Sequence, residues 1–329
     1  MPTTKACTPS LPRSAGQAGW ILTVKSALGF SVSWASPHPP AAGIPERGAI
    51  SRAIGQQNKG KQGKEVIVEN SAKTKTYIEE VGNSNNEAVL LLHGIGADHK
   101  MWEPQLPVFA ENGYYVLAPD LLGHGKSSKV NTLELSDWED QINELLRHKN
   151  VSKCHLVGVS MGGVIAQSYA MNNPEKVSRL VLSDTFGELK TVQEKLLGFS
   201  QVVGFRIYKL LGGKMLAKGM VSAYKAPFAV QAKEYFSQVS LNVDFDQLIL
   251  ARKAINKIDA VGKIDGDRIP TLVLVGDQFG QSFVEINRKI ANGIRGSIFM
   301  VLKNSMDPSN LVNPDDFNQV VLQFLQISA

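Results

Sequence analysis

The residues best placed to do chemistry lie in Gly158-Val159-Ser160-Met161-Gly162-Gly163. An apolar run, His155–Val159, precedes them and a helix-like segment, Met161–Met171, follows. A serine on so tight a strand-to-helix turn holds its hydroxyl out at the end of a sheet. Glycines flank it because side chains there would collide with the adjoining strand and helix. Such a hydroxyl can attack an acyl carbon once a base takes its proton. A second glycine-rich turn, His93-Gly94-Ile95-Gly96, ends the run Leu90-Leu91-Leu92. Brought beside Ser160, the N–H groups of Ile95 and Met161 would form a two-donor oxyanion site, each donor contributing about 3 kcal/mol.

The base is the difficulty. His38, His93, His99, His124, His148 and His155 are the six histidines, and all precede Ser160. No shift of register can supply an imidazole after it. His93 and His99, on or just after the glycine turn, are the substitute bases within conceivable reach. His93 more simply buttresses the turn, and His124 in Gly-His-Gly reads as structural. Deleting the histidine of a serine-protease triad costs roughly 10⁶ in turnover.

These residues need a scaffold, and the chain's periodicity supplies one. Glu65–Glu69 and Thr74–Val81 alternate as a hairpin would. Short apolar runs follow at Ala88–Leu92, Tyr114–Ala118, His155–Val159, Leu180–Ser183, Thr271–Val275 and Ile298–Leu302. Helix-like segments separate most of them: Trp102–Asn112, Leu133–Arg147, Met161–Met171, Phe283–Asn292 and Asp315–Leu325. Buried strands alternating with amphipathic helices predict an α/β fold whose mostly parallel central sheet is covered on both faces. Residues 186–265 hold only helix-like pieces and read as an inserted helical cap between core segments 64–185 and 266–329.

Together, His93-Gly94-Ile95-Gly96, Trp102-Glu103-Pro104-Gln105, the run from Ala118 to Ser127 and the Ser160 turn resemble the α/β-hydrolase superfamily. The nearest look is to its cap-bearing ester, enol-lactone and carbon–carbon bond hydrolases. The resemblance runs from about residue 64 to the C-terminus, interrupted mainly by the cap, and implies a small-molecule ester or lactone hydrolase with Ser160 as nucleophile. It also implies an acid and a histidine that this chain replaces. Where the family carries Gly-Asp-x-Asp, the chain reads Gly276-Asp277-Gln278-Phe279, which puts Phe279 in the acid's place. Where the family carries Gly-His seven residues before a proline, counting back from Pro314 gives Met306-Asp307. Asp307 thus stands at the histidine position. Asp277, by a small shift, and Asp184, after Leu180–Ser183, are alternative acids. Trp102, Phe279 and Met306 are expected on the pocket wall. Two readings follow: a hydrolase that is slow or runs on an altered base, and a non-catalytic descendant that binds a small ligand. That ligand is mostly apolar, with an anionic group as one version.

Charge and composition narrow the partners. Residues 1–63 carry seven Lys/Arg against Glu46 alone, a net +6, so the rest of the chain sums to about −1. A nucleic-acid surface needs a patterned basic patch on folded structure, and none is indicated. The arm itself reads as a flexible or artefactual extension, or as an organelle-targeting segment, against a cytoplasmic default. The two cysteines, Cys7 and Cys154, do not suggest a disulfide framework. No metal-ligand cluster is visible, and residues 93–96 lack the spacing and lysine of a phosphate loop, so no metal or cofactor is expected. The sequence sets no oligomeric state. Between Lys195 and Lys233 the cap has no acid, while Arg206, Lys209, Lys214, Lys218 and Lys225 punctuate apolar residues at helical spacing. The plain reading is a lid whose apolar side closes the pocket. An anionic ligand or contact with an acidic membrane surface are the lesser ones.

Overall fold

The apolar runs pair into one eight-stranded sheet of β1 (Lys64–Glu69), β2 (Lys75–Val81), β3 (Ala88–Leu92), β4 (Tyr115–Pro119), β5 (Cys154–Val159), β6 (Val177–Ser183), β7 (Thr271–Gly276) and β8 (Ile298–Leu302). The computed structural model describes residues 63–69 and 74–327, so the expectations for the basic arm fall outside the described residues. Strand order is β1-β2-β4-β3-β5-β6-β7-β8. The β1–β2 hairpin is antiparallel, as the alternation predicts, and β2 also runs antiparallel to β4. From β4 to β8 every pairing is parallel.

The strands β3, β4, β5 and β7 are buried along their whole length, which is why they read as continuous apolar runs. Successive side chains leave opposite faces. Leu90 and Leu92 join Leu156, Trp138 and Ile165 in one core layer, while Val89 and Leu91 join Val157, Phe109 and Phe317 in the other.

Helices α1 (Leu106–Glu111), α2 (Leu135–His148) and α3 (Met161–Asn172) follow β3, β4 and β5. The first begins later than the expected Trp102, because Pro104 and Pro107 leave only a 3-10 turn over His99–Trp102 before Gln105 caps α1. Between β6 and β7 lie α4 (Val192–Leu211), α5 (Gly213–Ala223), α6 (Val230–Val239) and α7 (Phe245–Ile255). The two ends of this insert meet: Glu188 bridges Asp259, and the Ala260 N–H donates to the Gly187 carbonyl at 2.7 Å. The break at Gly212-Gly213 occurs where the sequence places it, with Gly212 at φ 83°. Helices α8 (Gln281–Asn292), α9 (Ser309–Val312) and α10 (Pro314–Leu325) complete the described order.

One expectation about the insert needs correction. The apolar residues of α4 do not all turn inward to close a pocket: Val192, Leu196, Phe199 and Leu210 are exposed, because α4 packs along α7 through its other face.

Candidate active site

Ser160 joins β5 to α3 with φ 54° and ψ −116°. Such a backbone costs a non-glycine residue on the order of 1–3 kcal/mol and persists only where the surroundings enforce it. Here they do. The Ser160 N–H donates to the Ser183 carbonyl of β6 at 2.9 Å, and the Ser160 carbonyl accepts from the Thr185 hydroxyl at 2.8 Å. Space demands the glycines: a Cβ on Gly158 would run into the Gly162 carbonyl, and one on Gly162 into the carbonyls of Leu92 and His93. The 93–96 turn lies alongside, since a Cβ on Gly94 would sit 3.5 Å from the Ser160 Cβ. Neither the Ile95 nor the Met161 N–H has an acceptor among the described residues. Both N–H groups are thus unengaged, Met161 next to Ser160 in the chain and Ile95 next to Gly94.

Asp307 meets that hydroxyl directly. Ser160 Oγ donates to Asp307 Oδ2 at 3.1 Å, and the Asp307 carbonyl accepts from the Tyr224 hydroxyl of the insert at 2.8 Å. Behind it, Asp184 is fully buried at the end of β6 with φ 48°. Its carboxylate accepts from the Gly276 N–H at 2.9 Å, the Ser309 N–H at 2.8 Å and the Ser183 hydroxyl at 3.0 Å. Burial pushes the Asp307 carboxyl well above the usual carboxylate range. The nearby charge of Asp184 adds to that push, and the Ser160 hydroxyl only partly offsets it. Asp184 is also raised, by burial, against the pull of its hydrogen bonds.

The histidines are committed elsewhere. His93 is fully buried; the Leu121 N–H donates to its Nε2 at 2.9 Å, which leaves Nδ1–H to donate to the Gly94 carbonyl at 2.8 Å. Burial lowers its pKa, so it is a neutral strut with neither nitrogen free for Ser160. His99 places Nδ1 2.7 Å from Asp120 Oδ1, and the same oxygen accepts the His99 N–H at 2.7 Å. Burial opposes its charge, but the hydrogen bond and charge of Asp120 outweigh burial and raise its pKa. No hydrogen bond joins any histidine to Ser160 among the described residues.

Asp277 turns to Gln278 Nε2 at 3.0 Å and to the Ser305 N–H at 3.4 Å, as a turn former does. Phe279, expected on the pocket wall, packs against Phe283 with ring centroids 4.8 Å apart. Trp102 is likewise not a wall residue: it is fully buried against Phe317, because the Pro-limited turn drives it into the core. Met306 is partly buried against the same core layer. Residues that sequence reasoning passed over are Asp120, visible in Pro119-Asp120-Leu121 but given no role, and Thr185 and Tyr224, which carry no local signal.

Comparison with known proteins agrees with this fold. Residues 87–205 match the family described as alpha/beta hydrolase fold. The chain is 25% identical over 259 residues to an (E)-2-((N-methylformamido)methylene)succinate hydrolase of Acinetobacter baylyi, covering 77% of this chain and 95% of that protein. It is 30% identical over 220 residues to Lipase 1 of Psychrobacter immobilis, covering 62% of this chain and 66% of the lipase. A crystal structure from a study of carboxylesterases of the thaumarchaeon Nitrososphaera gargenis superposes with a TM-score of 0.71 at 22% identity, over 80% of this chain and 98% of that one. This chain is an α/β-hydrolase-fold protein.

Within this fold the elbow, two unengaged N–H groups and a carboxylate at the hydroxyl come together, and among the described residues no imidazole joins them. At the 3.1 Å contact Asp307 can take a proton from Ser160 whenever its carboxyl is ionised. A cleft of about 850 Å³ opens between the 96–100 turn, the 123–129 segment and residues 231–244 of the insert, with His99, Tyr235 and Leu248 among its walls. It reaches Gly96, one residue from the Ile95 donor, though Ser160 and Asp307 do not line it. Among the described residues, no three His, Cys, Asp or Glu are grouped to hold a metal, and no helix is long and apolar enough to cross a membrane.

Proposed function

We propose that this protein is a small-molecule ester or lactone hydrolase in which Ser160 attacks the acyl carbon and Asp307, rather than an imidazole, accepts its proton. The observation that carries this reading is the 3.1 Å hydrogen bond from Ser160 Oγ to Asp307 Oδ2 on a strained elbow beside two unengaged N–H donors. A carboxylate of ordinary pKa is a weak base for an alcohol, and one with raised pKa is stronger while ionised. Turnover is accordingly slow and favours alkaline pH. The hydrolase and lipase relatives support the acyl chemistry without fixing the substrate.

The test is covalent labelling of Ser160 by a fluorophosphonate, with hydrolysis of short p-nitrophenyl esters by the wild type, Ser160→Ala and Asp307→Asn. Labelling and turnover should both vanish in Ser160→Ala. Absence of labelling up to about pH 9 would overturn the proposal. One observation favours a second reading, a non-catalytic ligand-binding descendant: burial and Asp184 hold a proton on Asp307 to higher pH than usual. Under that reading, thermal stabilisation by small apolar acids persists in Ser160→Ala while turnover is absent from the wild type.

A further inference from the structure

Helix α4 carries an apolar stripe that the fold leaves uncovered. Val192, Leu196, Phe199, Ile207 and Leu210 fall on one face of the helix, at steps of four, three, eight and three residues, and they are 79%, 63%, 60%, 44% and 87% exposed. From Val192 to Leu210 the stripe runs about 27 Å along the helix. Single exposed apolar residues are ordinary, but several large ones on one face of a helix mark a surface that meets something.

The charge beside the stripe says what. A groove of about 440 Å³ between α4 and α7 is lined by Phe199 and Val202 together with Lys195, Arg206, Lys253 and Lys257. Lys257 is engaged with Glu134 and, further along, Lys209 with Asp246. Lys195, Arg206 and Lys253 have no acidic partner among the described residues, and no Asp or Glu occurs between Lys195 and Lys233.

We infer that the α4 face docks on an anionic lipid bilayer, the apolar stripe entering the headgroup–acyl boundary and the flanking cations meeting acidic headgroups. The arrangement is that of an interfacial amphipathic helix. Other occupants fit less well. A second copy would set this basic face against its equal. The N-terminal arm, at net +6, would bring positive charge to positive charge. The same arm instead adds attraction to a negative surface, each Lys or Arg near it contributing on the order of 1 kcal/mol. This inference does not depend on whether Ser160 is catalytic.

The experiment is co-sedimentation of the full chain with phosphatidylcholine vesicles, alone or with about a third phosphatidylglycerol. The comparison is with Leu196→Ser/Phe199→Ser/Leu210→Ser and with Lys195→Glu/Arg206→Glu/Lys253→Glu. All these side chains are at the surface, and far-UV circular dichroism checks that both variants fold. The wild type should bind the anionic vesicles, and each triple variant should lose about tenfold or more in partitioning. Equal binding to both vesicle types would overturn the charge argument. Binding that survives loss of the stripe would assign it to the arm and sink the proposal. So would a wild type that fails to sediment, or one that forms dimers abolished by the serine variant. Retention by polyglutamate but not by vesicles would point to an acidic protein instead.

Discussion

Asp184 presses on Asp307 electrostatically: its buried carboxylate, held by the N–H groups of Gly276 and Ser309, raises the proton affinity of the carboxyl that touches Ser160. An acid standing behind a histidine would stabilise an imidazolium; behind another acid it makes that acid reluctant to ionise.

The first consequence concerns restoration. Because Asp184 already sits behind position 307, Asp307→His alone should assemble a serine–histidine–aspartate relay, with no change needed at Phe279. Ester turnover near pH 7.5 should rise by roughly 10²–10⁴-fold over the wild type. No increase, with labelled Ser160 and a folded protein, would mean that Asp184 is out of reach of the new ring.

pH separates the ionised from the protonated base. Asp307 is raised in the fold, so turnover should climb as pH passes upward through that raised value. The stability sign is opposite. A carboxyl raised above its unfolded value of 3.8 contributes fully below that value and loses its contribution as pH rises through the folded one. Asp307→Asn, neutral throughout, should therefore match the wild type at pH 4 and melt roughly 2–4 °C higher at pH 8. Calorimetry at the two pH values decides the matter.

Asp120 behaves the other way. Burial opposes its charge, but the His99 hydrogen bond, the nearby histidines and the Lys126 N–H at 2.7 Å hold its pKa low. Its contribution is present above 3.8 and fades as pH falls through the lowered value. Asp120→Ala strands a buried histidine and two N–H donors and should cost about 3–5 kcal/mol in urea unfolding at pH 7.

Arg252 offers a stabilising change. It is 5% exposed, its Nε has no partner, and it lies over the Phe186 ring at 5.0 Å with no carboxylate beside it among the described residues. Burial alone lowers its pKa to about 9. Arg252→Met should raise stability by about 1–4 kcal/mol, since a hydrophobic side chain of similar length removes an uncompensated charge. A loss of stability would show that the guanidinium has a partner in solution.

Much of this is legible in the sequence alone. The run Ala88–Leu92 coincides with β3, because buried parallel strands admit little but apolar residues, and Ile298–Leu302 coincides with β8, an edge strand that keeps Ile298 and Val301 exposed. The elbow was legible because steric demand at Gly158 and Gly162 writes itself into a local motif. The count back from Pro314 put Asp307 beside Ser160, where the hydrogen bond lies. What local sequence could not convey were contacts between distant segments: Tyr224 gripping the Asp307 carbonyl across 83 residues, or Leu121 and Gly94 consuming both nitrogens of His93. Trp102 misled for a related reason, since an aromatic before a proline reads the same whether it lines a pocket or fills a core.

The loop bearing position 307 is fastened through its main chain: Tyr224 holds the carbonyl there, and Asp184 holds the amide of Ser309. Neither attachment consults the side chain at 307. These main-chain attachments therefore do not depend on which group is presented to the serine, and Asp307→His is expected to change reactivity while keeping both of them.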